Sequence, residues 1–331
     1  MSALVLVQAL RDPASVTDLD MAGWNGLIAM ARAEQLIGSL AYRFGGLALP
    51  AAVERMMLDA RRHATFVRRQ ALWEADRARV ALAGVDAPVI LLKGTAYVAA
   101  GLRAGVGRHI GDLDIMVPRP ALTRVEKALI SAGWEWVKPD PYDDQYYRRW
   151  MHELPPLIHK ERDRMIDVHH TILPLTARQR PDADAMIADR LKLDNGLSVL
   201  APEDMVLHCI AHLFADGDLA GGLRNLWDLH CLLDDFGTNP AFAERLEQRA
   251  ARHQLAAHLK RAVRLSSYLY GAGADLTLSD RFYIRRLLAR DEWGRETQKL
   301  ARLAFYVRSH WLRMPPLMLA RHLWTKWRKG R

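Results

Sequence analysis

Residues 88–117 constrain the chain more than any other stretch, because the apolar period changes there and changes back. Pro88-Val-Ile-Leu-Leu92 is a short continuous apolar run, the pattern of a buried strand, and it enters the turn Lys93-Gly94-Thr95. A helix-like stretch over 96–102 follows, then a glycine-rich loop from Gly105 to Gly111. Asp112-Leu-Asp-Ile-Met-Val117 then alternates with a period of two. On both sides the period is helical. It covers 18–44 and 51–83 upstream, and 203–214, 223–236, 240–253, 255–270, 280–290 and 295–311 downstream. Further strand-like runs at 134–137, 145–150, 154–159 and 165–169 lie between. The expected fold is α+β, a small mixed-sheet core with helices between helical flanks, some of which pack on one another. The divisions are 1–83 (N-terminal helices), 84–175 (core), 176–310 (C-terminal helices) and 311–331 (tail).

Asp112 and Asp114 are two apart on a strand, so their carboxylates project from one face of an apolar ladder. Like charges held together call for a cation, and oxygen-only ligands favour Mg²⁺ or Mn²⁺ over zinc. An isolated pair of this kind is more often two solvent-facing residues of an edge strand. Asp167, in Met165-Ile-Asp-Val-His-His170, alters that balance. It is a third acid in an apolar strand, where Asp is disfavoured. Three acids on two strands can share a face and hold two metals. Upstream, a glycine turn between strand and helix offers backbone N–H groups to a phosphate. His208 and His212, four apart on a helix, read as core or capping residues, and His169 as a structural hydrogen-bonding residue beside Asp167. Arg224 and Asp228 have the spacing of a surface ion pair.

The segment LLKGTAYVAAGLRAGVGRHIGDLDIMV, with IDVHH downstream, resembles the nucleotidyltransferases of the DNA polymerase beta type. More narrowly it is similar to the bacterial uncharacterised nucleotidyltransferase family. Leu92-Lys93-Gly94, Arg108, Asp112 with Asp114, and Asp167 with His169 match that family's pattern, and the resemblance runs from about 85 to 235. Thr95 stands where the broad superfamily has a small residue, and 16 residues separate Thr95 from Asp112, a longer gap than usual there.

The resemblance implies a polymerase-beta-type core and transfer of a nucleoside monophosphate from an NTP to an acceptor hydroxyl, with release of pyrophosphate. Asp112 and Asp114 would hold the metal on the triphosphate, and Asp167 would join them at a second. Gly94 and Thr95 would meet the phosphates. Lys93 is either a phosphate partner or a surface residue, and Arg108 either a phosphate partner or a counter-ion of Asp112. The acceptor is a small molecule, a peptide or protein hydroxyl, or an RNA end. Asp112→Asn or Asp114→Asn is expected to abolish transfer while leaving folding intact or improved, because a strained acid pair is relieved. The competing reading is a nucleotide-binding or regulatory module that keeps the fold without transfer. It would show no Mg²⁺-dependent thermal shift with NTPs.

Charge then decides what else the chain could contact. The formal net charge of +9 arises from 47 basic and 38 acidic residues, yet no acidic residue follows Glu296 while nine basic ones do. The preceding 296 positions are neutral, which argues against a broad nucleic-acid-binding surface. Cys209 and Cys231 suit buried thiols in a reducing compartment. Without a basic leader or a spanning run the expectation is a cytoplasmic protein with no transmembrane segment. In the tail Leu317, Ala320, Trp324 and Trp327 fall near one side of a helix, with Arg321 and Arg328 flanking them. Three readings follow: peripheral contact with an anionic membrane, nucleic-acid contact, or docking on the body. Liposome co-sedimentation of the full chain against one ending at Met314 separates them. The membrane reading requires greater partitioning of the full chain, and equal partitioning removes it.

Overall fold

The computed structural model describes residues 3–137 and 140–313, with Leu319, Trp324 and Arg328. Four helices precede the first strand: α1 (Leu4–Arg11), α2 (Met21–Ala33), α3 (Ile37–Arg43) and α4 (Ala51–Ala81). The 31 residues of α4 span roughly 46 Å at the usual helical rise. Its buried side, including Val53, Met57, Ala64, Val67, Ala71, Ala75 and Ala78, recurs at helical spacing. Glu74, buried on that side, pairs with Arg162 at 3.0 Å, and the Arg162 guanidinium lies over the Trp134 ring at 4.7 Å. This contact ties the long helix to the sheet.

The chain then runs through β1 (Ile90–Leu91), α5 (Lys93–Ala99), β2 (Leu113–Met116), α6 (Leu122–Ser131), β3 (Trp134–Trp136), α7 (Pro141–Trp150), β4 (Leu157–His159), β5 (Met165–His169), α8 (Ala183–Ala188), β6 (Leu191–Lys192) and β7 (Ser198–Val199). The described strands form one mixed sheet in the order β3-β4-β5-β2-β1-β7-β6. At its centre β2 runs parallel to β5 and antiparallel to β1, and β1 is parallel to β7. All of β1 and β2 is buried, as the continuous apolar run and the alternating segment require.

Residues 145–150, expected as a strand, are helical in α7. The aromatic Tyr146, Tyr147 and Trp150 favour a strand by propensity, but a helix satisfies the charges. Arg148 reaches Asp144 one turn back at 2.7 Å and Glu126 of α6 at 2.7 Å, and the Tyr146 and Trp150 rings meet four residues apart. The run at 154–159 yields a strand only from Leu157, because Pro155 and Pro156 have no N–H to give the ladder. β6 and β7, two residues each, are too short to carry a periodic signal. They extend the sheet to residue 199.

The remaining elements follow the expected helices closely: α9 (Pro202–Ile210) passing into a π-helical turn over Ala211–Asp216, α10 (Gly222–Phe236), α11 (Phe242–Arg252), α12 (Ala256–Tyr270), α13 (Leu278–Leu287) and α14 (Lys299–Arg313). The two helical flanks do pack together. Glu34, at the end of α2, accepts the Leu223 N–H of α10 at 3.3 Å and pairs with Arg290 at 2.7 Å. One continuous buried cluster runs from Ala3 to Phe305. Cys209 and Cys231 are free and buried in α9 and α10. No helix among the described residues is long and apolar enough to cross a membrane. Of the tail stripe, Trp324 is exposed, whereas Leu317, Ala320 and Trp327 lie outside the described residues.

The glycine-rich loop is held by its contact with α3. A Cβ on Gly38 would collide with the carbonyl oxygen of Gly107, Gly107 itself has φ +69°, and Ser39 Oγ donates to the Val106 carbonyl at 3.1 Å. Gly38→Ala should therefore lower stability by about 2 kcal/mol, read by denaturant titration. A change below about 0.5 kcal/mol would show that the loop is not anchored there.

Candidate active site

The register of β2 against β5 builds the site. Leu113 stands beside Ile166, Asp114 beside Asp167, Ile115 beside Val168 and Met116 beside His169. Side chains alternate along each strand, so Asp114, Asp167 and His169 share one face while Leu113, Ile115, Ile166 and Val168 are buried on the other. Asp112, just before β2, completes the group. One carboxylate oxygen from each of Asp112, Asp114 and Asp167 lies within 4.8 Å of the others. The three acids expected to converge do converge, with Asp112 exposed, Asp114 buried and Asp167 half-buried.

Two of these carboxylates are driven in opposite directions. Asp114 Oδ1 accepts hydrogen bonds from Lys93 Nζ at 2.5 Å and His169 Nε2 at 2.9 Å. Burial opposes its ionisation, but the charge of Lys93 and the bond from His169 outweigh it and hold the Asp114 carboxyl well below the usual carboxylate range. Lys93 responds in kind: burial works against its charge, and the Asp114 carboxylate nevertheless keeps its pKa above the ordinary lysine value. Burial pushes the Asp167 carboxyl up to about 7, and the neighbouring Asp114 and Glu153 add to the push. The site thus pairs an ionised acid with one that keeps its proton near neutrality. A cation between them would relieve Asp167.

Lys93 reaches Asp114 because the chain turns sharply at the end of β1. Leu92 is extended, Lys93 has φ +47°, and α5 begins at once. Gly94 must lack a side chain, since a Cβ there would collide with Arg108 Nη1. Arg108 is neither at Asp112 nor open to solvent. Its Nε donates to Asp228 of α10 at 2.9 Å, and its guanidinium lies over the Tyr97 ring at 5.4 Å. The Arg224–Asp228 pairing suggested by spacing gives way to this contact. Asp228 is buried, and Arg224 bonds Gln35 and Asn225. Thr95 is buried as well, in the first turn of α5.

Sequence reasoning missed His152 and Glu153. Glu153 forms an isolated bridge opposite His169, with its Oε2 3.3 Å from His169 Nδ1, and the His152 ring stacks on the His169 ring at 5.2 Å. Neither residue belongs to a periodic segment, so the only available signal was their proximity to the Pro155-Pro156 break. His208 is buried and His212 half-buried. Burial, and after it the charge of Lys93, depress both imidazoles, His212 to about 3.

The sequence profile of the uncharacterised nucleotidyltransferase family matches residues 20–271. The chain belongs to that family. The match takes in α2 to α12 and so includes the helices on both sides of the sheet, beyond the 85–235 window in which the motif is legible. No curated protein matches the chain. Nucleotidyltransferases generally use divalent metals, and the convergent oxygen donors, with Asp167 protonated for want of positive charge, fit such an ion.

The opposite shifts of Asp114 and Asp167 predict opposite mutant effects. This corrects the expectation of an unharmed fold for Asp114→Asn, because Lys93 and His169 already neutralise that carboxylate. Asp114→Asn should cost about 3 kcal/mol by leaving buried partners unpaired. Asp167 keeps its proton up to about pH 7 when folded and loses it near pH 4 when unfolded. The folded state therefore binds more protons in that window, and its stability falls as pH rises through it. Asp167→Asn should remove this slope and add about 1–3 kcal/mol at pH 8, measured by denaturant titration in metal-free buffer. Equal destabilisation by both substitutions would refute this electrostatic picture.

Proposed function

We propose that the protein is a Mg²⁺- or Mn²⁺-dependent nucleotidyltransferase of the DNA polymerase beta type, moving a nucleoside monophosphate from an NTP to an acceptor hydroxyl with release of pyrophosphate. The observation that carries this reading is the convergence of Asp112, Asp114 and Asp167 on one sheet face with Lys93 beside them. These three acids would hold the metal, which when bound lowers the pKa of the acceptor hydroxyl and spreads the charge of the triphosphate.

The chain's own groups divide the remaining work. Lys93, now on Asp114, is placed to transfer its ammonium to a phosphate oxygen when a cation occupies the carboxylates. Asp167, which keeps its proton for want of a counter-charge, would give it up when a cation supplies that charge and then serve as a ligand. His169, itself buried, fixes Asp114 through its Nε2. Both hydrogen bonds to Asp114 fall on Oδ1, which leaves Oδ2 for a ligand. Gly94 and Thr95 belong to the turn that the family resemblance assigns to the phosphates. We read Arg108 as a positioning residue of that turn, because it fills the space beside Gly94 and is anchored on Asp228.

The acceptor class stays as broad as the family pattern leaves it, since the shared residues serve metal and triphosphate. Incubation with each α-labelled NTP, Mg²⁺ and cell extract should label one product class. Asp112→Asn should lower labelling by about a thousandfold or more, and the exposed position of Asp112 makes it the cleanest substitution. Unchanged labelling in that variant would sink the assignment.

A further inference from the structure

Beyond the acid trio, the same sheet face carries a second group of donors. Glu153 Oε2 lies 3.3 Å from His169 Nδ1 and 3.6 Å from His152 Nε2, and one donor atom from each of the three residues lies within 4.8 Å of the others. The two shorter separations approach the ligand–ligand edge of a tetrahedral ion with bonds near 2.0–2.1 Å, which is about 3.3 Å.

At the contact between Glu153 and His169 the imidazole has one bonded and one unmet nitrogen. His169 Nε2 is bonded to Asp114 at 2.9 Å. Its Nδ1 is buried, lies 3.3 Å from Glu153 Oε2 and makes no hydrogen bond. An ion between the three residues would give that nitrogen a partner, with Glu153 Oε2 and His152 Nε2 as the other ligands within reach. Charge agrees: Asp112, Asp114, Glu153 and Asp167 crowd one region with Lys93 as their lysine partner.

We propose that His152, Glu153 and His169 form a second metal centre, for a divalent transition ion of imidazole preference such as zinc, joined to the acid trio through the His169–Asp114 hydrogen bond. Two imidazoles and one carboxylate suit zinc, whereas the all-oxygen trio suits magnesium or manganese. In this arrangement Asp114 does two things. It is a ligand of one centre, and it orients the imidazole ligand of the other in the manner of carboxylate–histidine–metal triads. Glu153 and His152 keep 18% and 12% of their side-chain surface exposed, which gives the ion a way in.

The inference stands independently of nucleotide transfer and is tested without nucleotide. The metal-free full chain is titrated with Co²⁺ and with Zn²⁺, with uptake read from the cobalt d–d absorption bands and by competition with a chromogenic chelator. The expected result is one equivalent bound with tetrahedral-type cobalt bands. Affinity should fall more than about 100-fold in His152→Ala and in Glu153→Gln, and stay within about threefold in Asp112→Asn. His152→Gln, checked for folding by circular dichroism, replaces His152→Ala if that variant does not fold. The proposal is overturned by no uptake in the native chain, which leaves His169 as an imidazolium between Asp114 and Glu153. It is equally overturned by uptake that survives both His152 and Glu153 substitutions, or that is lost in Asp112→Asn, which would place the ion in the acid trio.

Discussion

Two carboxylates side by side on a buried sheet repel one another, and the centre of this protein is organised around that repulsion. The parallel pairing of β2 with β5 sets Asp114 directly beside Asp167. One of the two is neutralised from within the chain: Lys93 and His169 both hold Asp114. The other is left without a counter-charge and answers by retaining a proton up to about pH 7. A site in which like groups are pushed apart in this way is unbalanced without a cation, and that imbalance is what makes it suited to bind one.

Much of the surrounding structure serves to bring Lys93 to that place. The left-handed backbone at Lys93 and the bare Cα of Gly94 allow β1 to turn directly into α5. Arg108 then closes over Gly94, and Asp228 of α10 holds Arg108 there. α3 pins the other side of the glycine-rich loop through the contact of Gly38 with Gly107. In this way helices from both ends of the chain set the geometry of a motif only about thirty residues long, which agrees with a family match extending from residue 20 to 271.

Legibility followed period length. The buried run 88–92, the alternation 112–117 and the helices beyond residue 200 were readable because each repeats its pattern enough times to be distinguished. The segment 145–150 was not, because its aromatic residues favour a strand while its charges pair at helical spacing with Asp144 and across to Glu126. β6 and β7 were invisible since two residues have no period. At the site, Asp112, Asp114 and Asp167 were legible by type and spacing, whereas Lys93, expected at a phosphate or on the surface, is held by Asp114. Glu153 and His152 were not, because nothing local distinguishes a carboxylate and an imidazole that only cross-strand pairing carries to His169.

The sequence by itself determined most of the helices and the two central strands, the candidate acids and the concentration of excess charge in the last 35 residues, since these depend on local pattern and composition. The tertiary structure alone decided the partners. Spacing along one helix suggested Arg224 for Asp228, and the fold supplied Arg108 from 120 residues away. Proximity in sequence tied His169 to Asp167, and the parallel register gave it to Asp114 instead. Which charge neutralises which depends on distances of a few ångströms across strands, and these exist only once the register between β2 and β5 has formed.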